Sequence, residues 1–298
     1  MYELNCRHEE KPASQQMLID AEIGHRASRP FSAEPRPFLR WAGSKRFLLP
    51  HIAVVLPKEF GTYYEPFLGS GSLFFLLLAD SAVLSDSCKD LITTYRAVRD
   101  NPEQVMSHLR LWKPDRDLYY EIREKRSSWR YRRAAEFIYL NKTCWNGLYR
   151  VNLEGKFNVP YGKPKTDNIV EGRELFTAAK ALSRKGVKLL VADFGESLKD
   201  VEKNDFVYLD PPYVTGHNGN GFLEYNKNIF SWEDQVRLAD TARRLASRGA
   251  HVIVSNANHA PVLKLYKGFK KKIIQRHSTL ASDLEKRRKI DEALLFST

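Results

Sequence analysis

The stretch TYYEPFLGSGSLFFLLLADSAVLSD, residues 62–86, decides the fold. Its first part, TYYEPF, reads as a short apolar strand. Gly69, Ser70 and Gly71 follow at once, and SLFFLLL then reads as a helix. Glycines at such a turn permit positive φ and let a backbone approach a ligand closely. VLSD supplies a second strand whose last residue, Asp86, precedes another helix near CKDLITTYRAVR. Strand, glycine turn, helix, strand and helix in this order open an α/β sheet with helical crossovers.

Downstream, VKLLVADF, DFVYLD and AHVIVSN resume the strand rhythm, separated by helices such as WEDQVRLADTARRLASR. In that helix Val236, Leu238, Ala239, Ala242 and Leu245 form an apolar stripe, with arginines on the remaining surface. One mostly parallel sheet is expected. Upstream, FLRWAGSKRFLLPHIAVVLP predicts a glycine turn followed by a helix that ends at Pro57. Residues 1–37 mix charges, prolines and small polar residues and read as a flexible extension, with a short helix around QQMLIDAEI.

The segment from Asn101 to Lys185 interrupts the strand rhythm. It is rich in arginine, tyrosine and tryptophan and reads as helices plus a loop-rich insertion ending near NVPYGKPK. Leu118, Ile122, Phe137 and Leu140 are the expected core contacts. Arg126, Arg130, Arg132 and Arg133 are the candidates for DNA phosphates, or else the solvated face of an amphipathic helix pair. The resulting division is an extension over 1–37, a sheet domain over 38–100 and 171–298, and a basic, aromatic insertion over 101–170.

A formal charge of +12 over 298 residues predicts attraction to a polyanion, nucleic acid first, because neutralised phosphates release counterions. Hydrophobic residues at 43% and charged residues at 28% suit a globular chain with a real core. Three scattered cysteines, Cys6, Cys88 and Cys144, exclude a disulfide scaffold and a thiolate metal site, and the histidines show no ligand spacing. The apolar run over 73–79 is far below the roughly 20 residues that span a bilayer, and no signal peptide is visible. A cytoplasmic, DNA-associated protein without a metal and without a membrane partner is the expectation, with a monomer as the default.

The chemistry concentrates at Asp210-Pro211-Pro212-Tyr213, immediately after FVYL. Two prolines remove two amide donors and hold the backbone extended. Asp210 and the Pro211 carbonyl can therefore act as acceptors aimed at one amino group. Holding both hydrogens of an exocyclic amine favours the pyramidal nitrogen needed for attack. Tyr213 offers a stacking face for a base taken out of a duplex. A covalent role for Cys144 is not needed, and it is read as buried filler. Three further features fit a nucleotide-type ligand at the carboxyl ends of the strands, although each also has a structural reading. The glycine turn alone could be a plain loop; Asp86 could bind ribose hydroxyls or cap a helix; Asp193-Phe194 could hold an adenine amine and pack on its ring or be a cap and a core aromatic. Lys45 could meet a cofactor carboxylate, a DNA phosphate or solvent.

FLRWAGSK, EPFLGSGS, NGLYRVNLEGKFNVPYG and DPPY, in that order, resemble the Dam-like (D12 class) DNA adenine N6-methyltransferases from about Phe38 almost to the last residue. The resemblance implies a Rossmann-like sheet that binds S-adenosylmethionine and releases S-adenosylhomocysteine, with a mostly helical domain that reads double-stranded DNA. It implies cofactor contacts at Trp41, Ala42, Gly43, Lys45, Glu65, Pro66, Phe67, Gly69, Gly71, Asp86, Asp193, Phe194 and Asp210. It implies a target-adenine pocket at Asp210, Pro211, Pro212 and Tyr213. DNA contacts are implied at Lys45 and along a recognition hairpin carrying Asn146, Leu148, Arg150, Asn152, Asn158 and Pro160.

In the family this hairpin reads GATC, and Arg150 suits a guanine edge. Lys163-Pro164 stand where GATC-specific enzymes often carry an arginine and a tyrosine, so another GAT-containing site is the nearest alternative. RNA or protein amines, and a catalytically silent DNA-binding module, are the further alternatives. A restriction endonuclease of the same system is an expected partner.

Overall fold

The computed structural model describes residues 35–41, 45–152, 154–167, 169–213, 230–277 and 289–297. Ala42, Gly43 and the expected helix around QQMLIDAEI lie outside the described residues. A 3-10 turn, Arg46–Leu48, leads into α1, Leu49–Ala53. This helix stops well before Pro57, because Val54 and Val55 lose χ1 freedom in a helix and Val54 has no core to enter.

Strand β1 (Tyr63–Glu65), helix α2 (Ser72–Leu77), strand β2 (Ser81–Asp86) and helix α3 (Lys89–Asp100) follow as the glycine-turn pattern predicts. Next come α4 (Pro102–Leu109), α5 (Arg116–Glu124), α6 (Arg130–Thr143) and α7 (Gly172–Leu182). The remaining elements are β3 (Gly186–Val191), α8 (Phe194–Ser197), β4 (Phe206–Leu209), α9 (Trp232–Ser247), β5 (His251–Ala257), α10 (Ala260–Leu265), β6 (Lys270–His277) and β7 (Lys289–Phe296). This is a Rossmann-like α/β fold with an inserted helical region.

The sheet runs β3-β2-β1-β4-β5-β7-β6. Strands β1 to β5 are mutually parallel, whereas β7 is antiparallel to both β5 and β6. The antiparallel pair is a finding beyond the strands read from the sequence. KKKIIQRH carries the cations that keep an edge strand from pairing further, and those same cations hide it from a search for apolar runs. Because β1 is flanked by β2 and β4, the winding reverses there and leaves a crevice outside the carboxyl ends of these strands.

Side chains alternate between two cores, as a period of two requires. Tyr63, Leu84, Phe206, Tyr208, Ile253 and Leu294 join one core beneath α3 to α7. Tyr64, Val83, Val207, Leu209, Val254 and Leu295 join the other beneath α8, α9 and α10. In α9, Leu238, Ala239, Ala242 and Leu245 are buried as the stripe predicts, but Val236 is only half-buried. Its neighbour Gln235 is fully buried instead, because its amide donates to the Tyr266 hydroxyl and accepts from Asn256.

The helical region begins with two capped helices. Asn101 accepts from the Gln104 amide at 2.9 Å ahead of Pro102, and Asp115 accepts from the Leu118 amide at 2.8 Å. Ile122, Phe137 and Leu140 are buried, and Leu118 packs partly buried against them. Glu136 on α6 is 2% exposed and accepts from the Ser127 amide at 2.8 Å, with Arg126 and Arg132 on its carboxylate at 3.4 and 3.3 Å. Arg126 and Arg133 also reach Asp90 of α3, and Arg130 pairs with Asp100 at its end. These ion pairs fasten the helical region to the sheet domain. Removing Glu136 takes the acceptor from the Ser127 amide and leaves Arg126 with Asp90 as its remaining carboxylate, so Glu136→Ala should cost about 2 kcal/mol of unfolding free energy in a urea titration.

Strand β1 ends on a buried acid. Glu65 is 3% exposed, and its Oε2 has no hydrogen-bond partner among the described residues. Burial, with the Asp210 carboxylate nearby, raises its pKa to about 8. A carboxyl whose folded pKa lies above its unfolded value gives stability that is complete below the unfolded pKa and is lost as pH rises through the folded one. Glu65→Gln should therefore melt increasingly above the parent between about pH 5 and about pH 8, with the difference level above that. Melting temperatures measured across pH 5 to 9 test this, and a constant difference would contradict it.

Candidate active site

Four polar side chains share the sheet face that carries Tyr208 and Leu294. By the two-residue period Glu65 follows Tyr63, Asp210 follows Tyr208, Ser255 follows Ile253, and Glu292 precedes Leu294. The pairing of Ala257 with Glu292 brings that acid to the end of β5, beside the end of β4. An otherwise apolar face thus becomes polar at the crevice.

Asp210 lies one residue beyond β4. The Ser255 hydroxyl donates to its Oδ1 at 2.7 Å, and the Tyr208 hydroxyl lies 3.1 Å from the Ser255 oxygen. With the serine proton directed at Asp210, Tyr208 is the donor in the second bond. Lys45 Nζ approaches the same Oδ1 at 3.3 Å. Both described contacts therefore fall on Oδ1, which leaves Oδ2 as the oxygen open to an incoming donor. Burial raises the Asp210 pKa, opposed by the lysine charge and the serine donation.

Tyr213 donates to Glu292 Oε2 at 2.8 Å, and Lys45 Nζ lies 3.7 Å from that oxygen and 4.1 Å from the centre of the Tyr213 ring. Of the roles open to Lys45 in the sequence, the structure assigns none to solvent: its side chain is 8% exposed. Pro211 is buried and Pro212 half-buried, so the turn that carries these groups is packed in place.

The glycine turn sits at the neighbouring end of β1. Gly69 has φ 47°, and a Cβ there would meet the Trp41 ring at 2.7 Å. Gly71 has φ 64° and opens α2. Only glycine satisfies both the left-handed backbone and the indole approach at position 69. Tyr95 donates to the Gly69 carbonyl at 3.0 Å, and Asp86 Oδ2 accepts from the Gly69 amide at 3.1 Å. Asp86 Oδ1 takes the Cys88 amide at 2.9 Å, and burial raises this acid to about 6. It braces the glycine turn and the chain entering α3, whose N-cap is Cys88 and carries no side-chain cap bond, so the helix-cap reading of Asp86 is not met.

Pro66 is buried behind the turn, and Phe67 packs on Phe194 and Phe230 with ring centres 5.7 Å from each. Asp193 caps α8 by accepting from the Gly195 amide at 2.8 Å and holds Arg237 through both oxygens, at 2.6 and 2.9 Å. That hydrogen bond is the main reason its pKa is lowered. The Arg237 guanidinium also lies 4.0 Å from the centre of the Phe194 ring.

Trp41 connects this turn to the helical region. Its indole stacks on Tyr149 at 5.5 Å and on Phe137 at 6.5 Å. Asn141 clamps the preceding residue, accepting from the Arg40 amide at 2.8 Å and donating to its carbonyl at 2.5 Å.

Residues 144–162 form a hairpin bridged at Cys144 with Tyr161 and at Val151 with Phe157. Gly162 must be glycine, since a Cβ would stand 2.4 Å from the Cys144 carbonyl. Asn146 is exposed at φ 54°, Leu148 is half-buried, and Pro160 is exposed while its carbonyl accepts from the Trp145 amide. Arg150 is exposed and donates to the Asn158 side chain at 2.7 Å and its carbonyl at 3.3 Å. Asn152 folds the tip by accepting from the amides of Glu154 and Lys156.

Cys144 is 3% exposed, and burial pushes its thiol up to about 12, which leaves it no thiolate for nucleophilic work. Of the four basic candidates, Arg126 is 13% exposed and spent on Asp90 and Glu136; Arg130, Arg132 and Arg133 keep 46%, 53% and 37% exposure beside their carboxylates.

Sequence reasoning missed Glu292, Ser255, Arg237 and Asn141. The available signal was an acid directly before the apolar run ALLF and a lone serine at the end of HVIVS. Among the described residues, no group of three His, Cys, Asp or Glu is arranged to hold a metal, and no helix is long and apolar enough to cross a membrane.

The family model for D12 class N6 adenine-specific DNA methyltransferases matches residues 41–280. The type II methyltransferase M1.LlaDCHI of Lactococcus lactis subsp. cremoris is 37% identical over 268 residues, 87% of this chain and 94% of the relative. The type II methyltransferase M.MjaIII of Methanocaldococcus jannaschii is 37% identical over 266 residues, covering 81% and 91%. The DNA adenine methylase of Escherichia coli (strain K12) is 33% identical over 265 residues, covering 87% and 94%. With its glycine turn, its Asp-Pro-Pro-Tyr corner and this extent of likeness, the chain belongs to the D12 class of N6 adenine-specific DNA methyltransferases.

Proposed function

We propose that this protein transfers a methyl group from S-adenosylmethionine to adenine N6 within GATC in duplex DNA, acting on a base taken out of the helix. The observation that carries the reading is the corner at Asp210, where Ser255 and Lys45 occupy Oδ1 and leave Oδ2 toward an incoming amine.

The residues at the crevice suit the cofactor. The Glu65 oxygen without a partner among the described residues and the Asp86 carboxylate offer acceptors to a cationic ligand bearing an amino group and ribose hydroxyls, whose charge would favour the ionised form of Glu65. Trp41, Ala42, Gly43, Lys45, Glu65, Pro66, Phe67, Gly69 and Gly71 would hold its methionine part, Asp86 its ribose, and Asp193 with Phe194 its adenine. Asp193 is held in place for that contact by the Gly195 amide and by Arg237 on both of its oxygens. Bound there, the cofactor supplies an electrophilic methyl on a sulfonium.

The chain's own residues do the rest. Asp210 Oδ2 and the Pro211 carbonyl accept the two amine hydrogens, which localises the nitrogen lone pair for in-line attack. The new N–C bond forms as the C–S bond breaks and its electron pair stays on sulfur. The proton shed by the amine passes to Asp210, which burial makes more basic than an ordinary aspartate. Tyr213 offsets part of the cost of unstacking. Arg150, with Asn146, Leu148, Asn152, Asn158 and Pro160 on one hairpin, is assigned to the flanking bases, and Arg130, Arg132 and Arg133 to the phosphates.

Transfer of labelled methyl to duplexes carrying GATC, its single-base variants, or a replaced central adenine tests the reading. Labelling confined to GATC supports it. Labelling of another adenine site reassigns recognition to the Lys163-Pro164 departure, and labelling of RNA or protein alone sinks the substrate.

Asp210→Ala should lower transfer by about 10²-fold or more while sparing DNA affinity, measured by anisotropy. Near-parental turnover would remove Asp210 from the chemistry. Arg150→Ala should relax discrimination at one flanking base by about 1 to 3 kcal/mol. A uniform loss on cognate and non-cognate duplexes would mark a phosphate contact instead.

A further inference from the structure

We infer that Glu292 is a positioning residue of the transfer pocket: from the last strand it fixes the Tyr213 ring and shares Lys45 with Asp210. The inference rests on the adenine-transfer reading above. A fully buried carboxylate is costly unless it is paired, and Glu292, at 0% exposure, is paired with the Tyr213 hydroxyl at 2.8 Å and the Lys45 ammonium at 3.7 Å. Both partners belong to the pocket. Tyr213 is the stacking face, and Lys45 stands against both that ring and Asp210.

Two consequences follow for chemistry. First, Tyr213 can turn only by giving up a charge-assisted hydrogen bond, so its ring meets the base in a set orientation. Second, Lys45 is the donor that competes with a target amine for Asp210. The Glu292 carboxylate shares the ammonium with Asp210, at 3.7 Å against 3.3 Å, and so weakens its hold on the acceptor. With glutamine at position 292, Lys45 has Asp210 as its carboxylate partner among these groups. The ammonium then bears more fully on the carboxylate whose other oxygen receives the amine, and Tyr213 donates to an amide oxygen in place of a carboxylate.

The test compares parent, Glu292→Gln, Tyr213→Phe and the double variant on the full chain. Single-turnover methyl transfer, S-adenosylmethionine binding, duplex binding and melting temperature are measured for each. Glu292→Gln should slow transfer by about tenfold or more, with both binding constants within about twofold of the parent. Tyr213→Phe keeps the ring and removes the same hydrogen bond from the exposed side, so it should also slow transfer. The double variant should lose less than the product of the two single losses, by about threefold or more.

A folded Glu292→Gln with transfer within about twofold of parent, or losses that simply multiply, overturns the inference. If Glu292→Gln fails to fold, parental transfer by Tyr213→Phe overturns it as well. A folded parent inert on every duplex would sink the adenine-transfer reading itself and this inference with it, whereas an active parent with indifferent variants sinks the inference alone.

Discussion

One ammonium group organises the pocket. Lys45 brings a positive charge to a sheet face that is otherwise built from Tyr63, Phe206, Ile253 and Leu294. Such a charge is tolerable only among partners that arrive at fixed positions, and the alternation of β-strands provides them. Asp210 is set by β4, Glu292 by β7, and the serine that steadies Asp210 by β5. Each strand would bury that position at little cost if it were apolar. Keeping polar groups at these sites costs desolvation, and what is obtained is a small volume whose acceptors are already aimed.

The glycine turn and the hairpin belong to the same construction through Trp41. Its indole fills the space a side chain at position 69 would need, and it stacks on Tyr149 of the hairpin. The arginine-rich helices serve this construction differently from what their composition suggests. Arg126 and Arg133 fasten the helical region to α3 through Asp90, so part of the chain's arginine is committed internally. Fewer cations face outward unpaired than the 48 lysines and arginines suggest.

Much of this was legible from residue order, and what was not has physical reasons. The glycine turn, Asp86 and Asp210-Pro211-Pro212-Tyr213 announce themselves because special backbone needs and acceptor chemistry leave few residue choices. The inner parallel strands β1, β2, β4 and β5 are buried on both faces and so read as apolar runs, while β3 at the sheet edge alternates. Strand β6 was hidden by its cations, and with it the hairpin that carries Glu292. The partnership of Lys45 with Glu292, of Arg237 with Asp193, and of Asn141 with Arg40 joins residues far apart in the chain. No local pattern can display such pairs, since each member taken alone resembles an ordinary surface residue. Gln235 shows the same limit in miniature: the stripe on α9 places it toward the core, but only Tyr266 and Asn256 explain why an amide is acceptable there.

The position of β7 between β5 and β6 bears on how the molecule comes into being. A parallel sheet must close long loops before its pairings are rewarded, and here β6 has no neighbour until the strand that follows it has folded back. The pocket needs Lys45, ahead of β1, and a group from β7, so it cannot exist before β7 has been synthesised. The glycine turn and its helix can form early from local contacts. The lysine waits for its second carboxylate, and competence for chemistry is therefore acquired in the closing step of folding.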